Sequence, residues 1–179
     1  MIKQFFSDWI QKVDITDVQP NIKMQGLFDN HNDLFINFNY TETLEKIYGI
    51  KDVCHIHGTR GSDIIFGHGS TFNFDYYELK FTGAEEHMEE LQNSLKKDTK
   101  QAIEKNKYFF DKLSGVERIY SYGFSFSDVD LVYIEKICKS INTKKVIWHL
   151  NSYDDKRNSE FKKRIKKCGF RGSFDSYTV

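Results

Sequence analysis

An α/β domain, with a mostly parallel sheet flanked by helices, is the fold class this sequence predicts. Three observations point to it. The second half alternates helix-like and strand-like stretches, and that order implies parallel strands joined by helical crossovers. The 179 residues suit a single domain, 1–179, able to bury a core without disulfides or a structural metal. Aromatic residues make up 16% of the chain, and that apolar surface can offset ordering entropy, which excludes a disordered chain.

The first element is an amphipathic helix. Ile2, Phe5, Phe6, Trp9, Ile10 and Val13 recur at three- and four-residue intervals, and such a stripe must be covered by something. A homo-oligomer or a partner chain is therefore expected alongside the rest of the fold. Residues 14–33 are polar, hold the only proline, Pro20, and read as a linker, so 1–33 form a helix and linker before a core over 34–179. Leu34 to Phe38 reads as a strand ending at Asn39. Thr41 is placed to cap a helix through Tyr48, closed by Gly49. Val53 to His57 and Ile64 to Phe66 are the next strands.

Phe72, Phe74 and Tyr76 alternate within 70–81, leaving a hairpin arm and a lid both open. Thr82 and Glu85 have capping-box spacing and open a long helical stretch to Leu113, with Met88, Leu91 and Leu95 on one face and a break near Asp98. Ile119 to Tyr122 is a strand. Ser127 and Asp130 make a second capping box before a helix that turns Leu131, Ile134, Ile137 and Cys138 inward. Val146 to Leu150 is a strand, and Phe161, Ile165 and Cys168 line a last helix.

Composition narrows function. No apolar run reaches the roughly 20 residues of a membrane span, and the start of the chain lacks the pattern of a signal peptide, so no membrane partner is expected. Cys54, Cys138 and Cys168 show no pairing motif, which fits reduced thiols in the cytoplasm. Lys plus Arg and Asp plus Glu balance at 26 each, giving no reason to expect a nucleic-acid partner.

Ligands of open α/β sheets sit at the carboxyl ends of strands, where three clusters fall: Asn39-Tyr40-Thr41, His57-Gly58-Thr59 and Gly123-Phe124-Ser125. Asn39 can donate and accept together, which suits a ribose hydroxyl or a water; it equally suits a turn with Thr41 as cap. In a strand His55 and His57 would project to one face, open either to general-base work or to metal binding. The glycines around His68, Gly67 and Gly69, permit close backbone approach or simply a tight turn. His68 could complete a three-histidine set, but no acid is fixed by spacing, and no metal is expected. Tyr122 to Asp130 has the strand, glycine turn and helix start of a phosphate or ribose site. Asp128 and Asp130 would repel phosphate yet accept sugar hydroxyls, and capping explains them too. The last helix carries Lys156, Arg157, Lys162, Lys163, Arg164, Lys166 and Lys167 against Glu160. Such a stripe can track a nucleic-acid backbone, and is more often a solvated face.

These clusters together resemble the AbiH family of bacteriophage abortive infection proteins. The residues that carry the likeness are Phe38-Asn39-Tyr40-Thr41-Glu42-Thr43-Leu44-Glu45, His55-Ile56-His57-Gly58, Ile65-Phe66-Gly67-His68-Gly69 and Tyr122 through Asp130. That family is in turn similar to sirtuin-type, Rossmann-like NAD-binding folds. The resemblance implies NAD or a related nucleotide as ligand, Asn39 orienting ribose or water, and His57 as general base. It implies Tyr40, Thr41, Gly58, Gly67, His68, Gly123, Ser125 and Asp128 as nucleotide-contacting residues, and hydrolysis of the N-glycosidic bond of NAD as the reaction. A non-catalytic nucleotide- or partner-binding module and a histidine-based phosphoesterase or nuclease are the alternatives. The family's opening strand and glycine-rich phosphate loop have no counterpart here, so the chain is expected to be the carboxy-terminal part of the domain, and Phe124 stands where the family is expected to carry His.

Overall fold

The structure is a computed structural model and describes residues 2–29, 32–69 and 83–179. Its first helix, α1 (Ile2–Gln11), turns Ile10 into the core and Phe6 onto Phe66, with ring centroids 4.5 Å apart. The rest of its stripe, Ile2, Phe5 and Trp9, stays exposed. Within the polar linker lies one short helix, α2 (Ile22–Gln25), formed because Asn21 Oδ1 accepts from the backbone N–H groups of Lys23 and Met24.

Strand β1 (Phe35–Asn37) leads through α3 (Thr43–Tyr48) to β2 (Val53–His55), and the two strands pair in parallel, Phe35 with Val53 and Asn37 with His55. Gly49 closes α3 in the left-handed conformation, φ 70°, where the absence of a Cβ removes the steric penalty. Thr41 is not the cap; Glu42 holds that position without a side-chain bond, and the Thr41 hydroxyl instead shares a hydrogen bond with Thr43. The strand expected through His57 stops two residues early, because the chain turns with Gly58 N–H donating to the His55 carbonyl. Ile64 to Phe66 forms no strand; Ile65 N–H makes one bond, to the His57 carbonyl.

The aromatic alternation within 70–81 and the Thr82 capping box lie outside the described residues. Helix α4 (Glu85–Ser94) is followed by α5 (Thr99–Lys105) and α6 (Lys107–Asp111). The break falls at Asp98, whose carboxylate caps α5 by accepting from Gln101 N–H.

The second half delivers the alternation: β3 (Arg118–Ser121), α7 (Leu131–Ser140), β4 (Ile147–Asn151), α8 (Asp155–Lys167) and β5 (Ser173–Tyr177), in a parallel sheet ordered β3-β4-β5. Parallel strands flanked by helices are thus what the chain forms, but among the described residues they lie in two small sheets rather than one. Strand β5 is an addition to the expected elements. Helices α7 and α8 bury Ile134, Ile137, Phe161 and Ile165 in a core with Trp148, Phe126 and Phe170. The carboxyl ends of the two sheets meet where the rings of Phe38 and Phe124 approach to 4.3 Å. Among the described residues no helix is long and apolar enough to cross a membrane.

Candidate functional site

The carboxyl end of β1–β2 is closed. His57 lies two residues beyond β2 and is 2% exposed, walled by the rings of Phe38, Tyr40 and Tyr133. Its Nδ1 sits 3.2 Å from the Phe38 carbonyl, which can only accept, so Nδ1 carries the proton and Nε2 is bare. Nε2 has no hydrogen-bond partner among the described residues; Asp130 Oδ1 lies 3.7 Å away. Asp130 is already engaged, accepting from Lys97 Nζ at 2.6 Å and from the Ser127 hydroxyl at 2.8 Å. Burial pushes the His57 imidazole down to about 4, with the Lys97 cation acting in the same direction and the Phe38 carbonyl and Asp130 opposing. The ring is therefore neutral near pH 7. Burial likewise pushes the Tyr40 phenol up to about 12, and its hydroxyl donates to the Ile65 carbonyl.

Several expected site residues take other roles here. Asn39 is exposed, and its N–H donates to Asn37 Oδ1; the shared guest site expected of Asn39 and His57 therefore has one side chain in solvent and the other sealed in packing. The buried asparagine is Asn37, whose Nδ2 donates to the Thr41 carbonyl and so pins the turn from β1 into α3. Gly58 has φ 81°, and a Cβ there would run into the Asp63 carbonyl, so this glycine serves chain against chain. Gly67 and His68 likewise press on the protein itself: His68 exchanges backbone bonds with Leu95 and Lys97. His55 and His57 take separate partners: β2 ends at His55, whose Nε2 pairs with Glu45 Oε1 at 2.5 Å, while His57 lies in the turn beyond. Among the described residues no three of His, Cys, Asp or Glu are grouped to hold a metal ion. Ser127 and Asp130 bond side chain to side chain instead of capping backbone N–H groups. Asp128 is paired with Arg164 at 2.6 Å.

The carboxyl end of β3–β4–β5 is open. A cleft of about 260 Å³ lies there, walled by the turn Tyr122-Gly123-Phe124-Ser125, by Asn151 and Tyr153 after β4, and by Arg157 on α8. The turn has two left-handed residues, Gly123 at φ 61° and Phe126 at φ 51°. Phe126 tolerates that conformation because its ring is clamped in the core against Phe161 and its carbonyl accepts from Arg164. Around Gly123 there is free space among the described residues, a Cβ meeting none of them within 4 Å. Asn151 is buried, its Oδ1 accepting from Tyr153 N–H. Tyr122 and Tyr153 stand at the rim, 53% and 92% exposed. The Arg157 guanidinium lies over the Phe161 ring, 4.8 Å from its centroid, and makes no ion pair among the described residues. Two exposed phenols and a fixed amide suit a flat ring, and the Arg157 guanidinium suits an anionic group on its own side of a wall that also carries the Asp154 carboxylate.

Gly123 and Ser125 both line this cleft, and Asn151, Tyr153 and Arg157 join them from elements that sequence reasoning did not connect to the site. The one signal for Arg157 was its place in the basic stripe. Compared with known proteins, the chain matches the family model described as "Bacteriophage abortive infection AbiH" over residues 1–152. No curated relative and no solved structure matches it.

Proposed function

The chain belongs to the AbiH family of bacteriophage abortive infection proteins, and from that premise we propose that it works by binding a nucleotide in the cleft at the carboxyl ends of β3, β4 and β5. The observation that carries this reading is the convergence of Tyr122, Gly123, Ser125, Tyr153 and Arg157 on one open cleft, at the position where α/β sheets hold ligands. Its volume, about 260 Å³, suits one nucleoside, with the base against a rim tyrosine and the phosphate toward Arg157. A dinucleotide such as NAD would place its second half outside.

One observation supports a second reading, hydrolysis of the N-glycosidic bond of NAD. His57 is neutral with a bare Nε2, the form a general base requires. Solvent and substrate reach it only if the packing of Phe38, Tyr40 and Tyr133 opens, so binding without turnover is the reading we favour.

Thermal denaturation with millimolar AMP or NAD, with nicotinamide followed in parallel, tests both. Expected is a rise in Tm with either nucleotide, reduced by Arg157→Ala, and no nicotinamide. An unmoved Tm with both ligands removes the nucleotide reading. Nicotinamide release that His57→Gln abolishes puts the hydrolytic reading in its place.

A further inference from the structure

A second cavity is larger than the cleft. A groove of about 580 Å³ runs between α8 and β5, lined among others by Asn158, Lys162, Lys163, Lys166, Asp155 and Asp175. Three of the α8 cations line one wall of it. Arg164 is neutralised by Glu160 and Asp128, whereas the three lysines of the groove make no ion pair among the described residues. Lys162 and Lys166 are one turn apart and lie over the same ring, Phe174 of β5, at 5.9 and 5.8 Å from its centroid. Like charges at that spacing repel, and the ring fixes both stems so that the two ammonium groups stay close. With the exposed Lys163 on the same wall, these cations are a phosphate's counterpart.

The remaining wall has the opposite need. Asn158 is 8% exposed, and its Nδ2 donates to the Asn151 carbonyl and to Asp155 Oδ1. Both partners are acceptors, so the amide cannot be flipped. Its Oδ1 is left buried without a partner among the described residues, a position that costs stability unless a donor arrives. Asp155 and Asp175 add acceptors near it. A ligand that satisfies both ends has an anionic phosphate and, some way from it, hydroxyl donors.

We propose that the groove between α8 and β5 is a binding site for a phosphorylated sugar, its phosphate held by Lys162, Lys163 and Lys166 and its hydroxyls donating to Asn158 Oδ1 and the flanking carboxylates. This site is separate from the nucleotide cleft and does not rest on that reading.

Calorimetric titration of the whole chain with ribose 5-phosphate is the test, with inorganic phosphate and ribose as separate probes. Expected is saturable binding of ribose 5-phosphate, weakened at least roughly tenfold in the Lys162→Ala/Lys166→Ala double variant, since each lost charge-assisted bond is worth about that factor. Inorganic phosphate should bind about tenfold more weakly than ribose 5-phosphate, for want of the hydroxyl contacts. Arg157→Ala, which alters only the cleft, should leave the binding unchanged. No saturable binding, binding indifferent to the lysine pair, binding lost with Arg157→Ala, or inorganic phosphate binding equally well would each overturn the proposal.

Discussion

The two sheet ends occupy the same topological position and are built alike, yet one is shut and the other open. Each ends in parallel strands followed by a glycine in the left-handed region, Gly58 at φ 81° and Gly123 at φ 61°. At Gly58 the missing Cβ makes room for the Asp63 carbonyl; at Gly123 it leaves free space. Behind Gly58 the polar groups face one another, His57 toward Asp130 and Asp130 onto Lys97 and Ser127. Beside Gly123 they face water, as Tyr122 and Tyr153 show. A strand end with the right residue types thus does not make a receptor site; what matters is whether its polar side chains are packed inside the protein or stand in water. His57 and its neighbours stabilise the join between the sheets, and Arg157 with the rim tyrosines remains free for a ligand.

The largest effect that could break this contrast comes from Lys97. Its side chain is 7% exposed and pairs with that of Asp130, 14% exposed. Lys97→Met leaves the carboxylate without its counter-charge, a loss of about 3–5 kcal/mol for a buried pair. Urea denaturation should show it, while the protein still folded binds AMP as before. A loss below about 1 kcal/mol would mean that the closed end is solvated after all, and the distinction between the two ends would go.

A smaller effect lies in pH. The folded-state His57 has its pKa depressed to about 4 from an ordinary value of 6.5. Between those values the unfolded chain binds the proton and the folded chain does not, so stability is present above 6.5 and lost as pH falls toward 4. From pH 7.5 to 5 that amounts to about 2 kcal/mol, at about 1.4 kcal/mol per unit. Other groups titrate in this range, so the quantity to read is the difference between wild type and His57→Gln, whose side chain takes up no proton. Equal pH profiles for the two proteins would show that His57 is in contact with water.

Much of this arrangement could be read from local pattern. The stripes of α7 and α8, the Asp98 break and the Gly49 stop each follow from residues within a few positions of one another. What could not be read depends on register or on distance along the chain. β1 ends at Asn37 instead of Asn39, and that shift of two keeps the face but moves the buried asparagine. His55 and His57 share a face only while the strand continues, and the turn that ends it is pinned by Asp63 and Ile65 packing back, which no periodicity announces. The Lys97–Asp130 pair joins residues 33 apart. β5, Ser-Phe-Asp-Ser-Tyr, lacks the apolar run of a covered parallel strand and is recognisable only from its ladder with β4. Of the open cleft, the glycine turn was legible, and Asn151, Tyr153 and Arg157 were not, because only the parallel order of β3 and β4 brings them beside it.

The smallest effect sharpens the comparison where the two glycines differ. Gly123→Ala meets no atom within 4 Å, so its cost is backbone alone, about 1 kcal/mol for an L-residue held at positive φ. Asparagine adopts that conformation more readily, so Gly123→Asn should lose less stability than Gly123→Ala although its side chain is larger. Chemical denaturation of the two variants, side by side, reads this directly. The opposite order, with the larger side chain costing more, would indicate that the space beside Gly123 is filled in solution, and the end described here as open would then be closed like its counterpart at Gly58.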